Sequence, residues 1–374
     1  MMFKDIPGLS EAKKKLVSSV RNNHVAHAQL FSGKPGSANL SLALAFSTYL
    51  NCENQGEDSC GECASCVKAK KYIHPDIHFV FPVCPLPIEK KEAKSAAFIK
   101  EWREFLHLNP YGNDEDWSNF FGAENKQLNI SKEESRQIIR DLSLKSFEGK
   151  YKVMIIWLAE YLHPSAANGI LKILEEPPEN TIFLLVTYDR EQLITTILSR
   201  TQVFHVPSFS DDEISAYLQD SHQLDEKRAN QLALLSGGNL NLATKLITEV
   251  EDDSHQLFRD WMRVCYEKKH PTLVDWTDKF FTMNKVSQKS MIQYGINMLR
   301  ESLISQNQVI DLQKVINADE QDFVSKFGGT LRDHHKIERF YGELNTFLYH
   351  IERNINVKIA FLDTSLKIHT IFRS

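Results

Sequence analysis

The sequence predicts an α/β fold, a parallel sheet with flanking helices, followed by an all-helical remainder. Three observations carry that expectation. Val153 to Leu158 is an unbroken apolar run, the mark of a strand buried on both faces as in parallel sheets. A helix pattern and a second apolar run, Ile182 to Val186, follow it, and two such strands joined by a helix pair in parallel through a crossover. Past Pro207 the strand signals stop and only helical periodicities remain.

Residues 1–26 are helical in pattern and mixed in charge, and Ala28 to Phe31 gives a short strand ending at Ser32-Gly33. Gly33-Lys34-Pro35-Gly36-Ser37-Ala38-Asn39-Leu40-Ser41 then leads into the apolar helix Leu42 to Leu50. Strand, glycine-bearing turn and helix make the skeleton of a phosphate-binding loop, in which backbone N–H groups at a helix N-terminus face an anion. The loop's chemistry is missing. Against G-x-x-x-x-G-K-[ST], Ala38 replaces the second glycine and Asn39 the lysine that reaches the β and γ phosphates. Leu40 replaces the hydroxyl that ligates magnesium, and Ser41 comes one place late. Gly33, Gly36, Ser37 and Asn39 are therefore expected to form a vestigial loop kept for its shape, with no nucleotide as cofactor.

Cys52, Cys60, Cys63 and Cys66 follow in a C-x7-C-x2-C-x2-C pattern, close enough for their thiolates to converge on one tetrahedral ion. A cytosolic chain does not favour disulfides here, so one structural zinc per chain is expected over free thiols. Cys84 and Cys265 have no partner at metal spacing. His74 could stand in for a cysteine ligand, but His74-Pro75-Asp76 reads more simply as a turn into a strand at Ile77 to Phe81.

From about residue 85 to 129 the pattern loosens. Pro85, Pro87, the charged run Glu89 to Lys94, a helix over Ala96 to Leu106 and a polar, tryptophan-bearing stretch after Pro110 read as an inserted surface segment whose aromatic residues pack on the domain. Ser131 and Glu134 suggest a capping box opening the next helix, which feeds the strand at Val153. Ala167, Ile170, Leu171 and Leu174 fall at i, i+3, i+4 and i+7; Pro164 suits the first turn and Pro177-Pro178 stops the helix. Ser199-Arg200 lies between Val186 and a third apolar run, Val203 to Val206, which suggests a place at the mouth of the sheet where ligands or partners meet it. Spacing alone leaves Arg200 equally open to a role toward a neighbouring molecule and to a surface ion pair with a residue such as Asp189.

Ser210 and Glu213 make a second capping box, and Gly237-Gly238 divides two further helices of a small helical domain. From about Ser254 the chain is again helical, with stripes at Ile292, Ile296, Leu299 and Leu303 and at Phe340, Leu344, Phe347, Leu348 and Ile351. A hydrophobic content of 42% and 25% charged residues are ordinary for a soluble globular protein, and the net charge of −5 argues against a chain that wraps nucleic acid unaided. No apolar run approaches a membrane span and no leader-like segment opens the chain, so a cytoplasmic location is expected.

Several stretches together resemble the delta-prime family of bacterial DNA polymerase III clamp-loader subunits, ATPase-inactive relatives of AAA+ proteins. They are His27-Ala28-Gln29-Leu30-Phe31-Ser32-Gly33, the four cysteines followed by His74-Pro75-Asp76, Ala167 to Pro178, and Leu198-Ser199-Arg200-Thr201. The match covers most of 1–84 and 130–245 and is weaker toward the end. Trp157 and Leu158 stand where the ATPase relatives place an Asp-Glu pair, one carboxylate holding magnesium and the other positioning water. A sensor arginine falls at Asn241, and the usual Ser-Arg-Cys reads Ser199-Arg200-Thr201.

The resemblance implies three domains: an AAA+ domain at 1–206 with a zinc-binding segment (52–66) and an insertion, a helical lid at 207–253, and a helical C-terminal collar at 254–374. It implies a non-catalytic stator that supports ATP-dependent loading of the sliding clamp in DNA replication. The implied partners are the gamma/tau ATPase subunits and delta, with the sliding clamp reached indirectly and primer-template DNA through the complex. Arg200, with Ser199, is implied to act in trans as an arginine finger on a neighbour's ATP. An active ATPase and a zinc-dependent nucleic-acid binder are the competing expectations; the double loss at Asn39-Leu40 and Trp157-Leu158 weighs against the first and the acidic balance against the second.

Overall fold

The computed structural model describes residues 1–85, 94–123, 126–143, 145–249, 254–267, 270–283, 285–306, 334–353 and 355–373. Residues 89–93 of the expected charged run, and the side chain of Leu303, lie outside them. The chain forms two compact units, Met1–Glu213 with Gly238–Asn241, and Ile214–Gly237 with Leu242–Ser374.

The first unit is built on a sheet of β1 (Ala28–Ser32), β2 (Ile77–Val80), β3 (Lys152–Trp157), β4 (Thr181–Thr187) and β5 (Gln202–His205), in the order β2-β3-β4-β1-β5. Every pairing is parallel, so all carboxyl ends share one edge. Every residue of β1, β3 and β4 is buried, which is why they read as continuous apolar runs and not as alternating ones. The run Val203 to Val206 differs. β5 is an edge strand with Val203 exposed, and within that run only Val206 is buried.

The helices of this unit are α1 (Ser10–Arg21), α2 (Asn39–Leu50), α3 (Ala64–Lys70), α4 (Ile99–Leu108), α5 (Asp114–Phe120), α6 (Lys132–Ser143), α7 (Pro164–Glu175) and the single turn α8 (Thr195–Leu198). All twelve residues of α2 are buried, so the helix after the glycine-bearing loop is a core element. Pro164 takes the first position of α7, where a missing N–H costs nothing. The box expected at Ser131 and Glu134 does not form. Glu134 turns to Ser95, accepting from its hydroxyl at 2.9 Å and from its amide, and burial raises the Glu134 carboxyl above its usual range. A long-range partner has outcompeted the local one.

At the entry to α9 (Asp211–His222) the expected box is present, Ser210 N donating to Glu213 Oε2 at 2.9 Å and Glu213 N to Ser210 Oγ at 3.2 Å. Gly237 caps α10 (Glu226–Ser236) in the left-handed region at φ 56° before α11 (Leu240–Glu249) begins.

The second unit continues through α12 (Ser254–Glu267), α13 (His270–Thr282), α14 (Lys285–Gln306), α15 (His334–Glu352) and α16 (Val357–Arg373). Phe361 is its hub, stacked on Phe280 at 4.3 Å and on Trp261 at 4.9 Å between ring centres. Trp261 Nε1 donates to Ser365 Oγ at 2.9 Å, which satisfies a buried polar atom. Ile292, Ile296, Leu299, Phe340, Leu344, Phe347 and Ile351 are buried as their spacing predicts, while Leu348 is half-buried. No described helix is long and apolar enough to cross a membrane.

Candidate functional site

Gly33 leaves the carboxyl end of β1 and Asn39 opens α2, so the loop between them occupies the place that strand and helix would give a phosphate. Asn39 does not point outward as a phosphate lysine would. Its Nδ2 donates back to Gly33 O at 2.8 Å and to Thr187 O at 3.1 Å, tying the loop to the end of β4. Asn39 Oδ1 and Ser37 Oγ, both buried, have no hydrogen-bond partner among the described residues. Gly36, at φ +77°, is covered by Asn239, whose Oδ1 lies only 1.7 Å from where a Cβ on Gly36 would be. Leu240 N donates to Gly36 O at 3.1 Å, so the first turn of α11 closes over the loop.

The carboxyl end of β3 is aromatic. Trp157, the last residue of β3, packs against Trp102 at 4.9 Å and Phe105 at 6.0 Å, and Trp102 stacks on Phe81 at 4.3 Å. Trp117 meets Trp102 edge to face at 5.2 Å and donates its indole N–H to Pro82 O at 2.8 Å. The aromatic residues of the insertion pack on the domain as expected, but more deeply than a surface segment would. Trp102, Phe105, Leu106 and Trp117 of the insertion are core residues, gathered at the end of β3. Leu158 sits in the left-handed region at φ 56°, and Glu160, two residues on, accepts from Tyr188 N at 3.0 Å with its carboxyl raised by burial.

Arg200 lies elsewhere. Because β5 runs parallel to β1 and begins at Gln202, Arg200 precedes the strand's amino end, opposite the edge that carries the loop. A strand of five residues such as β1 spans ~17 Å. Arg200 is thus out of reach of its own chain's loop, and the expected place at the ligand-binding mouth is replaced by one on the opposite edge. Its Nη2 pairs with Glu175 Oε1 at 2.7 Å and its Nη1 donates to Thr196 O at 3.0 Å and Ser199 Oγ at 3.3 Å. Asp189, offered by spacing as the partner, instead accepts from Glu191 N at 3.0 Å and from Gln192 Nε2 at 3.0 Å.

The four cysteines converge, their sulfurs all lying within 4.8 Å of one another. Thiolates ~2.3 Å from one tetrahedral zinc stand about 3.8 Å apart, and Cys60 Sγ is 4.0 Å from Cys66 Sγ, so the cluster is compatible with structural zinc. Cys60 N donates to Cys52 Sγ at 3.2 Å, Cys63 N to Cys60 Sγ at 3.4 Å and Cys66 N to Cys63 Sγ at 3.4 Å. The Cys63 amide above all holds the Cys60 thiol down to about 6, whereas burial pushes Cys52 and Cys66 up; a bound divalent cation would offset the cost of burying their thiolates. His74 is no ligand. Its Nδ1 accepts from Asp76 N at 3.1 Å, and Asp76 in turn accepts from the amides of Phe147, Glu148 and Gly149 at 2.6 to 2.9 Å. That anchor was legible only as a turn, since its partners lie 71 to 73 residues away.

A family model described as DNA polymerase III, delta subunit, matches residues 8–210. Among curated relatives, the chain is 31% identical over 195 residues to the DNA polymerase III subunit delta-prime of Yersinia pestis, and 27% over 189 residues to that of Bacillus subtilis. These alignments cover 52% and 50% of this chain and 45% and 44% of those relatives, less than half the length of each. The delta-prime subunit of Haemophilus influenzae aligns at 25% over 344 residues, 90% of this chain and 88% of that one. Among solved structures, a Thermotoga maritima protein related to the DNA polymerase III gamma subunit covers 97% of this chain and 98% of its own, at 15% identity and a TM-score of 0.36, a likeness too loose to carry weight.

Proposed function

The chain belongs to the DNA polymerase III delta-subunit family, among whose relatives it matches delta-prime subunits, and from that premise we propose that it is a non-catalytic stator of a clamp loader. The observation that carries this reading is the state of the phosphate loop. Asn39 is folded back on Gly33 and Thr187, and Trp157 stands in a fully buried aromatic cluster where a magnesium carboxylate is needed. With neither the phosphate lysine nor the metal ligand, transition-state charge has nothing to stabilise it. The purified chain is therefore expected to show no ATP hydrolysis above background. Turnover that persists through further purification and disappears on mutating residues 33–41 would overturn the stator reading and favour an active ATPase.

In this reading gamma/tau and delta are the direct partners, the clamp and primer-template DNA are met through the complex, and residues 207–253 and 254–374 serve as lid and collar. The C-terminal helices support the last assignment. Tyr266, Phe281, Tyr341, Tyr349, Ile359 and Leu366 are exposed there, and large apolar side chains on a helical surface fit a protein interface. Removing residues 254–374 should abolish co-purification with the other loader subunits. Full assembly of the shortened chain would show that the collar lies elsewhere.

A further inference from the structure

Four parts of the first unit surround the vestigial loop: the first turn of α2, the end of β3, the residue after β4, and the first turn of α11. A triphosphate on such a loop would lie over the α2 N-terminus, beside the carboxyl ends of the strands. The inserted segment reaches all four of these parts. Ser41 Oγ donates to Pro110 O at 3.0 Å. Tyr188 Oη donates to Gly112 O at 2.9 Å. Asn109 Nδ2 donates to Asn241 Oδ1 at 2.8 Å, and Asn241 Nδ2 donates to Asp116 at 2.6 Å. At the end of β3, Trp157 is covered by Trp102 and Phe105.

We infer that residues 95–123 are a built-in occupant of the nucleotide place, closing it and supplying from within the chain the ties between α2, β4 and α11 that hold residues 238–241 over the loop. The polarity of the contacts supports this. Toward Ser41, Tyr188 and Asn241 Nδ2 the segment offers the carbonyls of Pro110 and Gly112 and the carboxylate of Asp116, all acceptors. These take up donors that phosphate oxygens would use, and an anion brought among them would be left unpaired and repelled. The segment is also anchored independently of the loop. Asn113 and Asp116 cap α5 reciprocally, Asp116 N donating to Asn113 Oδ1 at 2.9 Å and Asn113 N to Asp116 Oδ2 at 3.0 Å, and Arg103 Nε donates to Tyr72 O at 2.9 Å. Occupancy by the insertion is a separate cause from loss of the motif, and it holds whether or not the chain serves in a clamp loader.

The separation of causes makes the test sharp. The full chain and the double variant Asn39→Lys, Leu40→Thr, which restores the motif's lysine and hydroxyl, would each be titrated with MgATP and MgADP by calorimetry and thermal unfolding. Neither should bind or shift in melting temperature, because the place remains filled. Binding by the restored variant would show that motif loss alone empties the site and would overturn the inference, while leaving the stator reading intact. Binding by the unaltered chain would overturn the inference directly. If the double variant does not fold, hydrogen exchange decides. Asn109→Ala and Tyr188→Phe each remove one tie, and exchange at the Leu240 amide should rise about tenfold or more while β4 stays protected. Unchanged exchange at Leu240 in both variants would remove the tethering role.

Discussion

If Arg200 is the arginine finger we propose, its replacement with alanine should leave the complex assembled and slow ATP hydrolysis at one neighbouring site by about 10³–10⁵, the range known for arginine fingers. A guanidinium gives two parallel hydrogen bonds to phosphate oxygens and keeps its charge at any working pH. Arg200→Lys should therefore recover only a small part of the loss. To serve a neighbour the side chain must leave Glu175, and this costs little: Arg200 is 27% and Glu175 51% exposed, and ion pairs so open to water contribute ~0–1 kcal/mol. Glu175→Gln should accordingly change the neighbour's turnover by no more than a few-fold, about the equivalent of that small energy. Reconstituted complexes of equal subunit content would be compared for clamp loading and for ATPase activity with primed DNA. Total turnover falls less than the single-site rate, because the other sites continue. If both Arg200 variants load clamps and hydrolyse ATP at the unaltered rate, Arg200 is a surface charge and nothing more.

The second large effect is expected at the cysteine cluster, where the proposed zinc supplies cross-linking and no chemistry. Its four ligands join the end of α2, the loop after it and α3, segments that also meet through the Phe3–Tyr49 ring contact and the Tyr49 Oη–Gly56 O hydrogen bond at 2.8 Å. Cys52 follows the end of α2, Cys60 lies beside Asp58, which accepts from Phe3 N at 3.1 Å and Lys4 N at 2.8 Å, and Cys63 caps the α3 that carries Cys66. Cys63→Ser removes one ligand and exposes the N-terminal turn and α3 together. Structural zinc supplies ~10–16 kcal/mol to finger peptides, and a loss of even about 4 kcal/mol in a domain of this size lowers Tm by about 8–16 °C. Thermal unfolding with and without chelator would show the drop, and elemental analysis should give one zinc per chain in protein kept from chelators. Absence of zinc from such protein, or a Cys63→Ser chain as stable as the original, removes the assignment. Partner ATPase activity per folded molecule should change little, since the cluster is not among the groups placed near Arg200.

Much of this was legible in the residues because the physics involved is local or strictly periodic. Val153 to Leu158 and Ile182 to Val186 had to read as unbroken apolar runs, since a strand covered on both faces has no wet side on which to alternate. Pro164, Gly237-Gly238 and the Ser210–Glu213 box mark helix ends through groups at most a few residues apart. The cysteine spacing likewise brings four sulfurs together within one short segment. That Asn39 and Leu40 stand where the phosphate-loop motif has lysine and a hydroxyl needed only the sequence. What the three-dimensional fold decided rests on partners far apart in the chain, which no local pattern encodes. Glu134 abandoned Ser131 for Ser95, 39 residues back, and Arg200 chose Glu175 over Asp189 because the parallel sheet sets the end of α7 and the start of β5 on one edge. The insertion is the clearest case. The stretch after Pro110 read only as polar and tryptophan-bearing; that Asn113 and Asp116 cap a helix there, that the same Asp116 reaches Asn241, 125 residues on, and that Trp102 covers Trp157, follows only once the end of β3, the start of α2 and residues 238–241 come together.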